Sequence, residues 1–489
     1  MRQLINYVQQ FGYFQRNARL YLISNALSGV TTGILLVLYN LYLLSLGYGA
    51  DFIGLVLFVG TIGAGIAIFP AGVCIDRFGG KAVLIWSNFL IGFAGIGQIL
   101  FHQSLPLLLS AFAAGTGVAG AIVVNAPFLT LNSTPDERSH LFSLNIALGL
   151  VTTVLGNIVG GILPVYFRSF SWLMSSLRPG LDLVLATQPE ARSYQLSLLF
   201  AGIIAVPSLV PLFMLQDKRT LPGSNNEGRA KRTLWPSFSK RDRGWEQDFL
   251  PETHISLSFS AWLSGRLFVS IRTILFSAFF LLMLVQALIG AGAGLFVPYF
   301  NIYFVQQLKA SPALFGLLNG GATAITALLT LVAPWLARRI GKVNAVVVTQ
   351  ISSIPLLVMI GLVPLLPVAA ILYLLRQGLM DMSAGVLQVF SMEAVVEEHR
   401  GIANSGYQTA FLVPWAVMAP LGGLIITHAG YPAVFIGGAL FYILAVSVLW
   451  WNFGRGRGNQ VKPVNLDGDR AEASVSGSSA ISSSELLHT

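Results

Sequence analysis

Twelve apolar segments, each long enough to cross a lipid bilayer, dominate this chain of 489 residues. A membrane-spanning helix needs about 20 largely apolar residues. The segments cover 19–46, 50–74, 81–102, 104–131, 139–163, 194–216, 273–306, 311–336, 342–364, 366–393, 401–428 and 431–452. They do not alternate polar and apolar residues, as the strands of a membrane barrel do. The sequence therefore predicts an all-α membrane protein with twelve transmembrane helices.

The last six segments repeat features of the first six at a nearly constant offset of 262 positions. The aligned features are Asp76 with Arg338, Arg138 with Arg400, Gly160-Gly161 with Gly422-Gly423 and, shifted by one residue, Tyr39-Asn40-Leu41-Tyr42 with Phe300-Asn301-Ile302-Tyr303. Two similar membrane-embedded halves are typical of secondary transporters. The repeat therefore predicts two pseudo-symmetric six-helix halves.

Five regions follow from this division of the chain. An N-terminal segment (1–18) precedes the first six-helix half (19–216), and a charged linker (217–272) leads to the second half (273–452). The remaining tail (453–489) is rich in glycine and serine, and we expect it to be disordered.

The basic residues are distributed unequally between the two sides of the predicted bundle. The connections that share a side with both termini hold 24 of the 29 Lys and Arg residues. The opposite side holds Arg168, Arg178, Arg192 and Lys309. Since basic loops stay in the cytoplasm, we expect both termini to be cytoplasmic in a multi-pass protein of the plasma membrane. The net charge of +9 then reflects topology and contact with the lipid bilayer, not nucleic-acid binding.

A short loop of distinctive spacing joins the second and third helices, with the sequence Gly72-Val73-Cys74-Ile75-Asp76-Arg77-Phe78-Gly79-Gly80-Lys81. Taken alone, it is a tight charged turn at the cytoplasmic face. Its spacing also resembles the signature loop of the major facilitator superfamily. The matching positions are Gly72, Asp76, Arg77, Gly79 and Lys81, whereas Gly80 stands where the family usually has a basic residue. Arg338-Arg339-Ile340-Gly341-Lys342 is a second copy that lacks the Asp.

The resemblance covers almost all of residues 19–452. It implies a transporter that works by alternating access, with the signature loop controlling closure of the cytoplasmic face. Carried over, the gating residues are Gly72, Asp76, Arg77, Gly79, Lys81, Arg338, Arg339 and Gly341. We expect Glu393, at the cytoplasmic end of the tenth helix, to pair with Arg338 or Arg339.

Small residues form a pattern in the fifth and eleventh helices. Gly156, Gly160, Gly161, Gly422 and Gly423 allow neighbouring helices to approach closely, so helix packing is the first interpretation. Gly156-Asn157-Ile158-Val159-Gly160-Gly161 also partly resembles the family's antiporter signature, with Asn157 in place of a proline.

Two charged residues, Arg376 and Asp381, lie deep within the tenth predicted helix. A charge near the bilayer centre costs about 2.5–3.5 kcal/mol and therefore faces a cavity or a partner. Five residues of helix separate the two by about 140°, which argues against a direct, well-aligned pair. One hypothesis is that Arg376 binds an anionic or polar group and Asp381 exchanges a proton. The other is that both are structural and make hydrogen bonds between helices.

In the family that this chain resembles, the first, fourth, seventh and tenth helices line the solute cavity. The resemblance adds these polar and aromatic candidates to Arg376 and Asp381: Asn25, Asn40, Gln286, Tyr299, Asn301 and Gln377. The apolar walls around them suit an amphipathic or lipophilic solute.

Three functions remain open. The leading hypothesis is proton-linked efflux of a small amphipathic solute by a monomer. Proton-coupled uptake of an organic anion is the second, and a non-transporting membrane sensor is the third. An enzyme is not expected, because the chain has no nucleotide-binding Gly-x-x-x-x-Gly-Lys-Ser/Thr motif and no second buried carboxylate for a protease. With one cysteine and six scattered histidines, we expect no metal site and no cofactor.

Overall fold

The computed structural model describes residues 14–175, 184–216, 278–395 and 400–454. The described part of the N-terminal half contains six long helices: α1 (Arg16–Ser45), α2 (Ala50–Phe78), α3 (Gly80–Leu100), α4 (Ser104–Leu131), α5 (Pro135–Arg168) and α6 (Pro189–Phe213). A short helix, Ser171–Met174, lies between α5 and α6. The predicted linker 217–272 and nearly all of the predicted tail 453–489 lie outside the described residues.

The C-terminal half has the same succession of helices. Its elements are α7 (Ala278–Phe296), α8 (Pro312–Ile340), α9 (Lys342–Leu362), α10 (Leu366–Met382), an α10 extension (Ala384–Glu393), α11 (Arg400–Ala429) and α12 (Tyr431–Leu449). Eleven helices in the described part of the chain are long and apolar enough to cross a membrane. The all-α membrane architecture is confirmed, and the tenth span differs from the others because it is divided in two.

The tenth span is interrupted at Ser383, where the sequence predicts one continuous helix over 366–393. The Ser383 hydroxyl donates to the Met380 carbonyl at 3.2 Å, and the Ser383 backbone keeps right-handed helical angles (φ −83°, ψ −12°), so the two segments remain nearly continuous. Ala384 and Gly385 follow directly, and glycine lowers helix stability. The α10 extension begins directly after this interruption, at Ala384.

The seventh span is also irregular near its end. Pro298 has no N–H to donate, and Val297–Tyr299 forms a 3-10 turn there. The N–H of Ile302 donates to the Asn301 side chain at 2.9 Å. The carbonyl of Pro298, four residues before Ile302, instead accepts a hydrogen bond from Asn40 of α1 at 2.7 Å. The Pro298 carbonyl is thus available to the other half because the Ile302 N–H donates to the Asn301 side chain.

The two halves pack into one compact unit. We call the side where α1 begins and α12 ends the terminal face, and the opposite side the distal face. Contacts between the halves run mainly along two helix pairs, α2 with α11 and α5 with α8, and α1 makes smaller contacts with residues 300–302 and with α8. By the predicted topology, the terminal face is cytoplasmic.

The repeat seen in the sequence is also present in the core contacts. The Tyr42 hydroxyl donates to the Ile99 carbonyl at 2.6 Å. Its counterpart Tyr303 donates to the carbonyl of Ile360, which occupies the position equivalent to Ile99. Equivalent residues therefore make equivalent contacts inside each half.

A buried polar cap closes the distal face of the N-terminal half. Because α6 begins at Pro189, five residues before the expected start at 194, Arg192 lies in its first turn and is only 2% exposed. Its guanidinium donates to four backbone carbonyls at 2.8–2.9 Å: those of Leu173, Ser175, Ala186 and Thr187. Burial lowers the pKa of His102, which lies within 3.4 Å of the Gln195 side chain in the same cap.

Candidate functional site

The first part of the site is a seam where the two halves meet near the distal face. Asn40 of α1 donates to the Pro298 carbonyl, and Asn301 donates to the Val37 carbonyl at 3.3 Å. Each asparagine reaches the carbonyl three residues before its counterpart, so the two hydrogen bonds are related by the pseudo-symmetry. They are the hydrogen bonds that join the halves among the described residues. Asn40 and Asn301 are 9% and 4% exposed, so they are buried in the seam.

Paired glycines bring the seam helices together. A Cβ atom at Gly160 would lie 2.9 Å from the Ile34 Cα in the same half, and one at Gly161 would lie 2.7 Å from the Pro312 carbonyl oxygen in the other half. Gly422 and Gly423 repeat this arrangement, against Leu295 in their own half and Ala50 in the opposite half. Gly156 similarly approaches Val30 of α1. The first glycine of each pair thus packs within its half, and the second packs across the seam.

The second part of the site is a buried charge cluster within the C-terminal half. Arg376 of α10 is 1% exposed, and its guanidinium lies 4.9 Å from the centroid of the Phe296 ring and 5.7 Å from that of Tyr442. It donates to the Gln377 side-chain oxygen at 2.7 Å and to the Tyr442 hydroxyl at 3.1 Å. Aromatic rings attract a desolvated cation by about 2 kcal/mol or more. The rings and hydrogen bonds therefore offset much of the cost of this intramembrane charge.

Asp381 balances Arg376 through an intermediate side chain. The Gln377 amide receives the Arg376 hydrogen bond on its oxygen and donates from its nitrogen to the Asp381 carboxylate at 2.5 Å. The charges are thus linked through Gln377, in keeping with their expected separation around the helix. Asp381 stands two residues before the break at Ser383, so the chain of polar groups ends beside the interruption of the tenth span.

Tyr442, on α12, is the member of this cluster that sequence reasoning missed. The resemblance directed attention to four cavity-lining helices, and α12 is not one of them. A usable signal was present, because Tyr442 places a hydroxyl in the middle of an otherwise apolar helix. Buried tyrosine hydroxyls usually find a hydrogen-bond partner, and an intramembrane arginine on another helix is a suitable one.

The remaining cavity candidates are dispersed. Asn25 donates to Asn145 of α5 at 2.8 Å, inside the N-terminal half. Tyr299 is buried near the seam, where its hydroxyl donates to the Ala419 carbonyl at 2.5 Å. Gln286 is half-buried in α7. The structure thus groups Arg376 with Gln377 and Asp381, but it places Asn25, Asn40, Tyr299 and Asn301 in other helix contacts.

The two signature-like loops share one backbone feature. Gly79 and Gly341 join consecutive helices with φ angles of +86° and +89°, a region that favours glycine. Lys81 donates to the Leu215 carbonyl at 2.6 Å, near the end of α6. The predicted gating residue Asp76 lies in α2, but its side chain falls outside the described part of the chain.

The other predicted gating residues are spread along the terminal face. Gly72 lies within α2, where an added Cβ would meet nothing within 4 Å. Arg77 and Arg339 are exposed, each with its guanidinium 5.5 Å from the centroid of a nearby ring, Phe78 and Trp335 respectively.

The expected partner of Glu393 was wrong. Glu393 makes its ion pair with Lys342, at the start of α9, and not with Arg338 or Arg339. Lys342 follows the turn at Gly341 directly, whereas the two arginines occupy the last turn of α8 and are exposed. The turn therefore points Lys342 towards the end of the α10 extension.

Sequence comparison identifies a family. The model described as Major Facilitator Superfamily matches residues 21–285 and 282–487, which together span most of the chain.

Solved structures show the same fold at low sequence identity. A bacterial homologue of the human lysosomal transporter Spinster, in an inward-facing and unoccupied conformation, superposes with a TM-score of 0.64 at 13% identity, covering 92% of this chain and 98% of that one. A D-xylose–proton symporter gives 0.62 at 15% identity, covering 92% and 99%. A bacterial homologue of the iron transporter ferroportin, in an inward-facing state, gives 0.63 at 16% identity, covering 89% and 98%. These similarities concern the fold.

Proposed function

Since the chain belongs to the major facilitator superfamily, and is therefore a multi-pass membrane transporter, we propose that it exports a small amphipathic solute by proton-linked alternating access. The observation that carries this proposal is the buried chain Arg376–Gln377–Asp381, which ends beside the break at Ser383. It offers a proton acceptor next to an interrupted helix.

The relation between the halves supports an alternating-access mechanism. The hydrogen bonds between Asn40 or Asn301 and the opposite half hold the distal face closed. With the terminal face cytoplasmic, this arrangement corresponds to an inward-facing state. Rocking about the seam would exchange it for an outward-facing one.

Asp381 is the residue that we assign to proton coupling. Protonation would remove the negative charge that accepts the Gln377 hydrogen bond and would leave the Arg376 cation without its counter-charge. An unbalanced buried charge is costly. The cluster would then rearrange, and the break at Ser383 allows the α10 extension to move with it. In this mechanism Arg376 is a positioning residue, because it orients the Asp381 carboxylate through the Gln377 side chain.

Reconstitution into liposomes tests the proposal. A thermal-shift screen of amphipathic compounds on the purified protein would first identify a ligand, and its flux would then be measured with and without a pH gradient. We expect Asp381→Asn and Arg376→Ala to reduce proton-driven flux at least tenfold while the protein remains folded. Asp51→Asn is the matched control, because Asp51 is an exposed carboxylate at the distal end of α2. Normal flux in both cluster variants would contradict the assignment.

The buried positive charge of Arg376 supports a second candidate, the proton-coupled uptake of an organic anion. The two directions predict opposite effects of a pH gradient. A symporter would accumulate the solute in liposomes whose lumen is more alkaline than the exterior, because protons enter with the solute. An antiporter would accumulate it when the lumen is more acidic, because protons leave in exchange for the solute. A preparation that binds ligand but moves no solute under either gradient would favour the sensor hypothesis.

A further inference from the structure

A cavity of about 720 Å³ opens at the terminal face of the C-terminal half. It separates the last three turns of α8 from the α10 extension, and the first turn of α9 and the end of the twelfth span also line it. The interruption at Ser383 helps to form it, because the extension no longer continues the close α8–α10 packing seen at Gly378. A cavity of this size holds a small molecule or part of a lipid.

The cavity is apolar below and charged at its rim. Pro334, Val389 and Phe390 are among the residues that form its walls. Arg338 and Lys342 lie at its rim with Glu393, so the described lining residues carry a net charge of +1. Lys342 is paired with Glu393, which leaves Arg338 as the exposed cation of the rim.

The cavity is long enough for part of an acyl chain, and its charged and apolar ends are ordered as in a lipid. The lining of α8 extends from Thr330 to Arg338, which corresponds to about 12 Å along a helix that crosses the membrane. Charged groups stand where the helix ends, at the depth of lipid headgroups, and the apolar walls continue towards the bilayer centre. Thr330, Pro334 and Val389 are exposed, so the cavity is open along its length. A soluble anion would need the rim but not the apolar walls.

The repeat provides an internal comparison. The equivalent groove of the N-terminal half lies between α2, α3 and α4 and measures about 380 Å³. Ala71 occupies the position there that Ala333 occupies in the cavity, and Phe78 occupies that of Ile340. Every described residue that lines this groove is uncharged. Among the described lining residues, those of the C-terminal cavity therefore carry the charge.

We propose that this cavity is a binding site for one anionic phospholipid, with its phosphate at Arg338 and an acyl chain along Pro334 and Val389. Basic pockets between transmembrane helices are suited to anionic headgroups. The inference is independent of the transported solute, because none of these residues belongs to the Arg376 cluster.

Native mass spectrometry of the detergent-purified full chain tests the site. The protein would be titrated with phosphatidylglycerol and, in parallel, with phosphatidylcholine of the same acyl chains. We expect tighter binding of one phosphatidylglycerol by about tenfold. Arg338→Gln should remove this preference, and Arg338→Lys should restore part of it. Equal retention of both lipids by the unmodified protein would overturn the proposal.

A second set of variants separates the acyl-chain contact from the charge. Val389→Trp fills the open wall and should reduce retention of both lipids at least fivefold, and Gly385→Leu serves if the first variant does not fold. Ala71→Trp, in the groove of the N-terminal half, should leave retention unchanged. Inorganic phosphate and octanoate are then added as competitors. Displacement of phosphatidylglycerol by either one at a concentration similar to that of the lipid would identify a soluble anion as the ligand and would contradict the lipid assignment.

Discussion

Replacing Asn157 with leucine should stabilise the closed distal seam, although it removes a polar group from a helix contact. Asn157 of α5 is 0% exposed, and neither its side-chain nitrogen nor its side-chain oxygen has a hydrogen-bond partner among the described residues. It lies where α1, α5 and α8 meet. A Cβ atom at Gly33 would lie 2.7 Å from its backbone nitrogen, and one at Gly316 would contact its carbonyl oxygen.

The magnitude follows from the cost of an unsatisfied buried amide, which is about 1–3 kcal/mol. Opening of the distal face would separate α5 from α8 and expose Asn157 to water, so this cost applies mainly to the closed state. Leucine has the same branching and the same number of side-chain heavy atoms, but its methyl groups are larger than the amide groups, and the cost of packing them offsets part of this gain. The Asn157→Leu variant should therefore shift the equilibrium towards the closed seam, by at most about 5- to 150-fold.

Cysteine accessibility from the distal side measures this shift. The chain has one cysteine, Cys74, so a Cys74→Ser background can carry a single new thiol at Ala313, opposite Gly161. A membrane-impermeant maleimide should label Ala313→Cys more slowly when Asn157→Leu is present, by the factor given above. The rate of labelling is proportional to the fraction of molecules with an open seam only if the maleimide reacts more slowly than the seam opens and closes.

Asn301 provides a matched control with the opposite expected sign. It is buried in the same seam, but its amide nitrogen donates to Val37 and its oxygen accepts from Ile302. Asn301→Leu should therefore speed labelling of Ala313→Cys, because it removes bonds that hold the seam closed. Unchanged or faster labelling in Asn157→Leu would refute the reasoning that the unpaired amide opposes closure.

The remaining predictions concern three other contacts. Gly316→Ala should lower the thermal stability of the purified protein by about 1–3 kcal/mol, because its Cβ would overlap the Asn157 carbonyl; unchanged stability would contradict the close approach. Arg192→Lys should destabilise the distal cap nearly as much as Arg192→Ala, because an ammonium cannot reach all four carbonyls that the guanidinium bonds. Limited proteolysis of the connection before α6 measures this, and full protection in the lysine variant would contradict the prediction. Tyr442→Phe should cost about 1.5–3 kcal/mol in thermal stability by removing the hydroxyl bonded to Arg376, and a neutral effect would show that the ring contact suffices.

The elements of this fold that sequence could predict are those that repeat. The helices follow from apolar length, and the two halves follow from residues that recur at a fixed offset. Asn40 and Asn301 align in the sequence, and in the structure each bonds the carbonyl three residues before the other. Such contacts are accessible to sequence reasoning, because pseudo-symmetry places equivalent residues on opposite sides of one axis.

Features that depend on a single local geometry were less accessible. The break at Ser383 lies inside an apolar run, and hydropathy cannot distinguish a broken span from a continuous one. The choice of Lys342 over two neighbouring arginines as the partner of Glu393 depends on the direction in which the chain leaves the turn at Gly341. Likewise, Tyr442 reaches Arg376 because α7, α10 and α12 surround one buried point, which spacing along the chain does not encode.

Several departures from the repeat lie in and beside the tenth span, where we propose the coupling site. Ala114 occupies the position in α4 that Arg376 occupies in α10, and α4 continues unbroken through the region equivalent to Ser383. The described lining of the N-terminal groove is likewise uncharged, whereas that of the C-terminal cavity is not. A buried charge pair and a broken helix are both costly in a membrane. Because the N-terminal half builds the same helix arrangement without either, the fold does not require them. Their joint presence in one helix is the feature on which the proposed role of the tenth span in proton coupling depends.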